Sequence, residues 1–290
     1  MRILITADLH YDIARSRRPA EELAQKVVRT GGDALVLVGD TAGAELGPFA
    51  DALDLFAEFP GRRLLVPGNH GLWCRQGETS LERYEAVLPE LAAEHGFSVL
   101  DHEPVAMGNT GLVGSVGWYD YSFRDTSLGL PVDFYRVKTA PGAVAYLKSH
   151  PELLKRHAED LTEQHMRLGA RWMDGVHVSL NMDDVEFVEM LTRKLRRQLG
   201  ELAPRVDRIV AFMHHVPFVE LMPSVRHPRF AFAQAFLGSP RFGKVLQECP
   251  KVTHVFCGHS HMAEAAELGH LRVENVGSTY VKKKLRIVDL

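Results

Sequence analysis

Five short polar clusters, each directly after an apolar run, hold the side chains that could carry chemistry. The clusters are Asp8-x-His10, Gly39-Asp40, Gly68-Asn69-His70, His214-His215 and Gly258-His259-Ser260-His261. Imidazole nitrogens with carboxylate and amide oxygens, and without thiolate, suit Mn, Fe, Zn or Co better than Ca or Mg. A single histidine is more often structural than a ligand, but five clusters of one type together favour a metal site.

Two cations in one site place a specific demand on their ligands. At a separation of about 3.5–4 Å, their repulsion must be compensated by a bridging carboxylate, and Asp40 is the natural candidate. Such a pair lowers the pKa of a bound water from about 15.7 towards roughly 7 and neutralises phosphate oxygens during in-line attack. The clusters are therefore consistent with hydrolysis of a phosphoester at neutral pH.

The elements that position these clusters can be read from the apolar runs. Residues 3–6, 34–38 and 63–66 each form a short continuous run that indicates a buried strand. Residues 19–30 carry Pro and acids early and are followed by Gly-Gly, which predicts a helix, and a second helix is predicted around 47–58. This alternation of predicted strands and helices favours a parallel sheet covered on both faces. Ligand sites in such sheets lie at the carboxyl ends of the strands.

The same arrangement of strand and polar cluster returns near the end of the chain. Residues 208–213 run into His214-His215, and residues 252–257 run into the last cluster. Residues 262–290 alternate in hydropathy between glycines, which predicts short strands. We expect them to form a meander that closes the sheet.

The middle of the chain has a different composition. Residues 118–180 mix aromatic residues, Pro, Gly and charge, with few periodic apolar positions. We predict a cap-like insertion within a single domain of residues 1–290. An amphipathic helix is predicted at 184–200. Its apolar face contains Val188, Leu191, Leu195 and Leu199, and the opposite face carries the basic run Arg193, Lys194, Arg196 and Arg197.

Composition limits the classes of function. With 290 residues, 46% apolar and 24% charged, the chain is typical of a globular protein. A net charge of -3 provides no global field for nucleic acid or an anionic membrane, so a polynucleotide substrate is not favoured. Three cysteines without CxxC spacing predict neither a disulfide framework nor a thiolate zinc site. The sequence shows no signal-peptide pattern and no apolar run of about 20 residues, which predicts a cytoplasmic protein without a membrane span.

The ordered series D-x-H, GD, GNH, HH-x-P and GH-x-H resembles the calcineurin-like metallophosphoesterase superfamily. The motifs extend over residues 8–261, except for the 118–180 segment. The later Asn275-Val276-Gly277-Ser278 is similar to the N-x-G-S turn of many bacterial members. The resemblance implies an α/β fold built as a four-layer α/β/β/α sandwich, with two mixed sheets between outer helices.

The resemblance also implies a role for each motif residue. One divalent cation would be held by Asp8, His10, Asp40 and His261, and a second by Asp40, Asn69, His214 and His259. His70 would contact the substrate and help to protonate the leaving oxygen. His215, beside a ligand, is interpreted either as a substrate contact or as a hydrogen-bond partner of the ligands.

Two positions depart from the superfamily pattern. Gly71 follows the GNH motif where an acid is usual, and only Glu45 lies near the place where a second Asp often follows the bridging one. A carboxylate that orients His70 must then come from elsewhere in the chain.

The implied activity is phosphoester hydrolysis by hydroxide on a pair of divalent cations (Mn, Fe or Zn), without a phosphorylated enzyme. A small phosphodiester of nucleotide type is the preferred substrate. The alternatives are a phosphomonoesterase, a nuclease of the same fold and a non-catalytic metal-binding scaffold. The oligomeric state is left open.

Several other residues near the motifs admit two interpretations. Trp73 and Arg75 could border the substrate. The favoured interpretation is that they only pack against and solvate the start of a helix. The aromatic residues Trp118, Tyr119, Tyr121 and Phe123 could stack on a base or pack in the core. His227 and Arg229 could reach the edge of the metal site. The remaining histidines, His95, His102, His150, His157, His165, His177, His254 and His270, are treated as incidental.

Overall fold

The computed structural model describes residues 1–225 and 227–290. In these residues eleven strands form two sheets, one with the strand order β11-β1-β2-β3-β4 and one with the order β5-β6-β7-β8-β10-β9. The strands are β1 (Arg2–Thr6), β2 (Ala34–Val38), β3 (Arg62–Val66), β4 (Ser98–Val99), β5 (Val105–Met107), β6 (Thr110–Ser115), β7 (Arg208–Met213), β8 (Val252–Cys257), β9 (Glu264–Leu268), β10 (Leu271–Asn275) and β11 (Arg286–Asp289).

The strands that carry the polar clusters are parallel within each sheet. Strands β1 to β4 run parallel, and only β11 pairs antiparallel with β1. Strands β6, β7, β8 and β10 are also parallel, while β5 and β9 are antiparallel edge strands. Both sheets are therefore mixed.

Alternate residues of the strands divide between two apolar cores. In β2, Val36 and Val38 point into a core between the sheets, which also contains Val210 and Phe212 of β7. The intervening Leu37 belongs to the larger core under the helices. Because side chains of a strand alternate between faces, burial on both faces explains why these runs are apolar at every position. The four-layer sandwich is thus confirmed.

Helices cover the outer faces and connect the parallel strands. They are α1 (Ala14–Thr30), α2 (Leu46–Asp54), α3 (Ser80–Glu82), α4 (Leu88–Glu94), α5 (Val132–Arg136), α6 (Pro151–Arg156), α7 (Glu163–Arg167), α8 (Asp174–His177), α9 (Asp184–Leu202), α10 (Pro228–Ala233) and α11 (Pro240–Gln247), with a π-helical stretch at Arg83–Val87. Helix α9 confirms the predicted amphipathic helix. It begins with a capping box between Asp183 and Glu186 and buries the predicted apolar face.

Two elements differ from the sequence expectations. Helix α1 begins at Ala14 rather than at residue 19, because the buried Ser16 hydroxyl bonds to the Leu9 carbonyl (2.9 Å) and anchors an extra turn before Pro19. The segment 262–290 is not one meander. Strands β9 and β10 form a hairpin in the six-stranded sheet, but β11 crosses to the other sheet and pairs with β1.

The 118–180 segment connects β6 to α9 and contains the short helices α5 to α8. Its aromatic residues supply much of its packing, since Trp118, Tyr119, Phe134 and Tyr135 are fully buried. Within the described ranges, every helix is too short or too polar to traverse a lipid bilayer.

Candidate metal centre

The seven side chains that the motifs assign to metal lie just beyond the carboxyl ends of five strands. Asp8 and His10 follow β1, Asp40 follows β2, Asn69 follows β3, His214 follows β7, and His259 and His261 follow β8. These strands belong to both sheets, so the two sheets meet at this edge. The structure therefore brings together residues up to 253 positions apart (8 and 261).

The backbone at these positions is strained. Asp8, His10, Asp40, His259 and His261 all have positive φ, between 44° and 70°. This left-handed region is unfavourable for residues with a side chain, and such strain is concentrated at functional sites. The sharp turn after each strand directs these side chains back over the sheet edge.

Two glycines allow the clusters to approach one another. A Cβ atom on Gly68 would lie 2.1 Å from Asp40 Oδ1, and one on Gly39 would lie 2.0 Å from His214 Nδ1. Gly39 also has a φ of 81°. Only glycine fits here, because any side chain would displace a proposed ligand.

Asp40 lies between two groups of histidines. Its Oδ2 atom is 3.5 Å from His10 Nε2, and its Oδ1 atom is 3.3 Å from His214 Nε2. Asp8, His10 and His261 can converge on one point, and Asp40, His214 and His259 can converge on another. A third group, His10, Asp40 and His70, lies between them. Each oxygen of one carboxylate thus faces a different ligand group, which is the geometry that a bridge requires.

The second group is compact. His214 Nε2 lies 3.1 Å from Asn69 Oδ1 and 3.1 Å from His259 Nδ1. Three potential ligand atoms therefore point at one small volume beside Asp40. Because the three side chains are buried, a cation there would be shielded from solvent.

For three of the four histidines assigned to metal, a backbone carbonyl fixes which ring nitrogen faces the centre. A carbonyl only accepts, so the ring nitrogen next to it must carry the proton and the other nitrogen keeps its lone pair for a metal. The pairs are His214 Nδ1 with Val38 O (3.2 Å), His259 Nε2 with Phe236 O (3.2 Å) and His261 Nδ1 with Ser278 O (2.8 Å).

Unpaired polar atoms show that these residues fit a metal. Among the described residues, Asp8 Oδ2 and both ring nitrogens of His10 are buried without a hydrogen-bond partner. Such atoms are costly unless a ligand satisfies them. Burial lowers the pKa of His10 and of His259 well below its ordinary value, which favours neutral imidazoles that could bind a metal. The pKa of His214 is raised to about 9, because the Asp40 carboxylate outweighs the effect of burial.

His70 lies at the open side of the centre. Its Nε2 is 3.9 Å from Asp40 Oδ2, and its side chain is 16% exposed, whereas His10 and His214 are fully buried. Its backbone N–H donates to Asp40 Oδ1 (3.0 Å). No carboxylate of the described residues bonds its Nδ1. The expectation of an orienting acid is therefore wrong. The ring of Trp73 stacks on His70 instead, with centroids 3.7 Å apart.

A cavity of about 360 Å³ opens over the centre. Its wall includes the motif residues Asp40, Asn69, His70, His259 and His261, together with Trp73, Arg171, Trp172, Met173, Asp174 and Tyr280. The interpretation of Trp73 as simple packing is therefore wrong. The four residues 171–174 come from the 118–180 segment, and the motifs could not identify them because nothing in their spacing marks them.

The other candidates lie away from this cavity. His215 is buried behind the wall, where its Nδ1 bonds to Val116 O (2.9 Å) and its ring packs on His259, so a direct substrate contact is not supported. Trp118, Tyr119 and Tyr121 are core residues, and Phe123 packs against the same core.

Arg75 pairs with Glu45 at the surface. His227 caps α10 by accepting from Arg229 N.

Comparisons with known proteins agree with this site. A family model described as calcineurin-like phosphoesterase matches residues 1–263. No curated protein matches the chain significantly.

Three solved structures share the fold. A phosphopantetheinyl hydrolase from Mycobacterium tuberculosis aligns with 95% of this chain and 89% of its own at 19% identity, with a TM-score of 0.70. A dimetal phosphatase from Danio rerio aligns with 97% of this chain and 88% of its own at 15% identity (TM-score 0.53). The protein TT1561 of Thermus thermophilus aligns with 99% of this chain and 98% of its own at 13% identity (TM-score 0.52).

The family model covers most of the chain, including every motif that supplies the Asp, His and Asn side chains of the centre. The chain therefore belongs to the calcineurin-like phosphoesterase family and is a metallophosphoesterase, a hydrolase that depends on divalent metal.

Proposed function

We propose that this chain hydrolyses a small phosphodiester with two divalent cations, drawn from Mn, Fe and Zn. One would be held by Asp8, His10, Asp40 and His261, and the other by Asp40, Asn69, His214 and His259. The observation that carries this proposal is the position of Asp40, with one oxygen 3.5 Å from His10 and the other 3.3 Å from His214. When bound, the cations would acidify a water molecule and neutralise the charge of the phosphoryl oxygens.

The protein's own residues orient the reaction. The sharp strand-end turns direct the proposed ligands toward one another, and burial of His214 and Asp40 excludes bulk water from beneath the site. His70 faces the cavity and, in the proposal, gives a proton to the leaving oxygen as the ester bond breaks. Trp73 keeps the His70 ring in one plane through stacking.

The cavity supports a small substrate. A volume of about 360 Å³ lies within the range of small-molecule pockets. Trp73, Trp172 and Tyr280 provide apolar walls, and Arg171 is the one Lys or Arg among the described residues that line it. A polynucleotide would require a row of cations, so a nuclease is not favoured.

The experiment compares a chromogenic phosphodiester with the corresponding monoester after reconstitution with Mn, Fe or Zn. We expect turnover that is abolished by chelation and a higher kcat/KM for the diester. A higher kcat/KM for the monoester would contradict the diester proposal and indicate a phosphomonoesterase. If no divalent metal supports turnover, a non-catalytic metal-binding scaffold would be favoured. Nucleotide esters and a phosphopantetheinyl ester belong in the panel, the latter because one structural neighbour is a phosphopantetheinyl hydrolase.

A further inference from the structure

One buried carboxylate of the 118–180 segment reaches the metal centre without facing the position of a cation. Asp174 is 1% exposed. Its Oδ1 accepts from Asn69 Nδ2 (2.9 Å) and Trp73 Nε1 (2.7 Å), and its Oδ2 accepts from Tyr119 Oη (3.0 Å) and Trp172 Nε1 (2.8 Å). Four donors therefore meet on one side chain, two of them from the loop after β3.

These four hydrogen bonds limit what the Asp174 side chain can do. An ionised carboxylate has about four lone-pair positions, and all of them are occupied here. The indole N–H groups and the Asn69 amide nitrogen can only donate, so the carboxylate serves as an acceptor. With no lone pair left, Asp174 is neither a metal ligand nor a base, and its function must act through the groups it binds.

The most important of these groups is Asn69. An asparagine amide has two different ends, and only its oxygen can coordinate a cation. Asp174 holds the nitrogen end, so Asn69 Oδ1 is directed the other way, to within 3.1 Å of His214 Nε2. A flipped amide would place an N–H₂ group at the metal position and two acceptors against each other at Asp174.

We propose that Asp174 is a positioning residue that fixes the Asn69 amide with its oxygen toward the second cation, and thereby makes the 118–180 segment a part of the metal centre. This inference rests on the proposed function, which assigns Asn69 to that cation. The same carboxylate orients Trp73, which stacks on His70. One side chain thus positions both a ligand and the proposed proton donor.

The test measures Mn²⁺ binding to Asp174→Asn by calorimetry. Loss of a partner behind a metal ligand typically weakens metal affinity by roughly 10–100-fold. We expect a loss of that size for one of the two equivalents, while the equivalent held by Asp8, His10 and His261 is unchanged. The double variant Asn69→Asp/Asp174→Asn should recover part of the loss, because an amide donor then faces a carboxylate ligand.

Asp184→Asn is the matched control. Asp184 is also buried in this part of the chain and accepts from Trp118 Nε1 (2.8 Å), Tyr121 Oη and Lys138 Nζ, but it does not bond Asn69. If Asp174 only stabilised the fold, both variants would bind Mn²⁺ alike. Equal affinities in Asp174→Asn and the wild type, or equal losses in both variants, would overturn the proposal.

A second measurement is made on the wild type and does not depend on a metal, and a variant is needed only to assign one signal. The chain has four asparagines, so selective ¹⁵N labelling resolves their side-chain amides, and the signal of Asn69 is assigned by its loss in Asn69→Asp. We expect its amide protons to exchange much more slowly than those of the exposed Asn181. Equal exchange rates would contradict the inference. If the wild type binds no metal but this protection is present, the proposed function fails and the positioning of the amide stands.

Discussion

The indole ring of Trp73 lies on the imidazole of His70, with the ring planes at 23° and the centroids 3.7 Å apart. His177 stacks on Trp73 in turn, at 4.5 Å. Gly71 supplies no carboxylate directly after the GNH motif, and this column of rings packs against His70 instead. Stacking of this kind restrains the plane of the His70 imidazole.

Replacing Trp73 tests this restraint. Aromatic pairs contribute about 0.5–1.5 kcal/mol beyond their burial, so Trp73→Leu should lower kcat by roughly 2–10-fold. Trp73→Phe also loses the bond to Asp174 but keeps a ring against His70, and it should retain a higher kcat than the leucine variant. Equal kcat values for the two variants would show that stacking does not orient His70.

The proposed bridge at Asp40 should be essential. Asp40→Asn removes the charge that compensates the repulsion of two cations, so at least one metal equivalent should be lost and kcat should fall by more than about 10³-fold. Elemental analysis and circular dichroism check the metal content and the fold. Asp51→Asn, on the exposed face of α2, is the control and should match the wild type. Unchanged metal content and rate in Asp40→Asn would refute the bridging assignment.

His70→Ala should separate chemistry from metal binding. We expect both cations to remain, because His70 is outside the proposed ligand sets, and kcat to fall by about 10²–10⁴-fold for a poor leaving group. The deficit should shrink for a nitrophenolate leaving group, which departs without a proton. His270→Ala changes an exposed histidine and serves as control. A deficit that is equal for good and poor leaving groups would argue against protonation by His70.

The pair His157–Asp133 should give a pH-dependent contribution to stability away from the metal centre. Their hydrogen bond (3.0 Å) raises the pKa of His157 and lowers the pKa of Asp133, while Asp160, Arg136 and Arg156 also contact the pair. A raised histidine pKa stabilises the fold below its unfolded value of about 6.5, and this contribution is lost as pH rises through the folded pKa. A lowered aspartate pKa adds stability that is lost as pH falls through the folded pKa.

The wild type should therefore exceed His157→Gln in Tm by about 1–3 °C at pH 5.5, with little difference at pH 9. Thermal unfolding at equal metal content measures this, and His270→Gln is the control. A difference that stays constant or grows with rising pH would contradict the sign of the effect.

The sequence by itself determined the strands and the residues at their ends. Continuous apolar runs such as 34–38 identify strands buried on both faces, and the polar residue after each run must lie at the sheet edge where parallel strands end. Asp8, Asp40, Asn69, His214 and His259 could be identified in this way because their positions depend on local periodicity. The pairing of β11 with β1 could not, since either sheet offers an edge to such a short alternating strand.

Only the tertiary structure decided how the proposed ligands are oriented and what surrounds them. Asp174 and Asn69 are 105 residues apart, and the segment that carries Asp174 has no periodicity from which its path can be read. The contacts of Trp73, Arg171 and Trp172 depend on how this irregular segment packs over the strand ends. Side-chain packing between distant segments follows from the shape of the whole core, and a local pattern of residues does not contain that information.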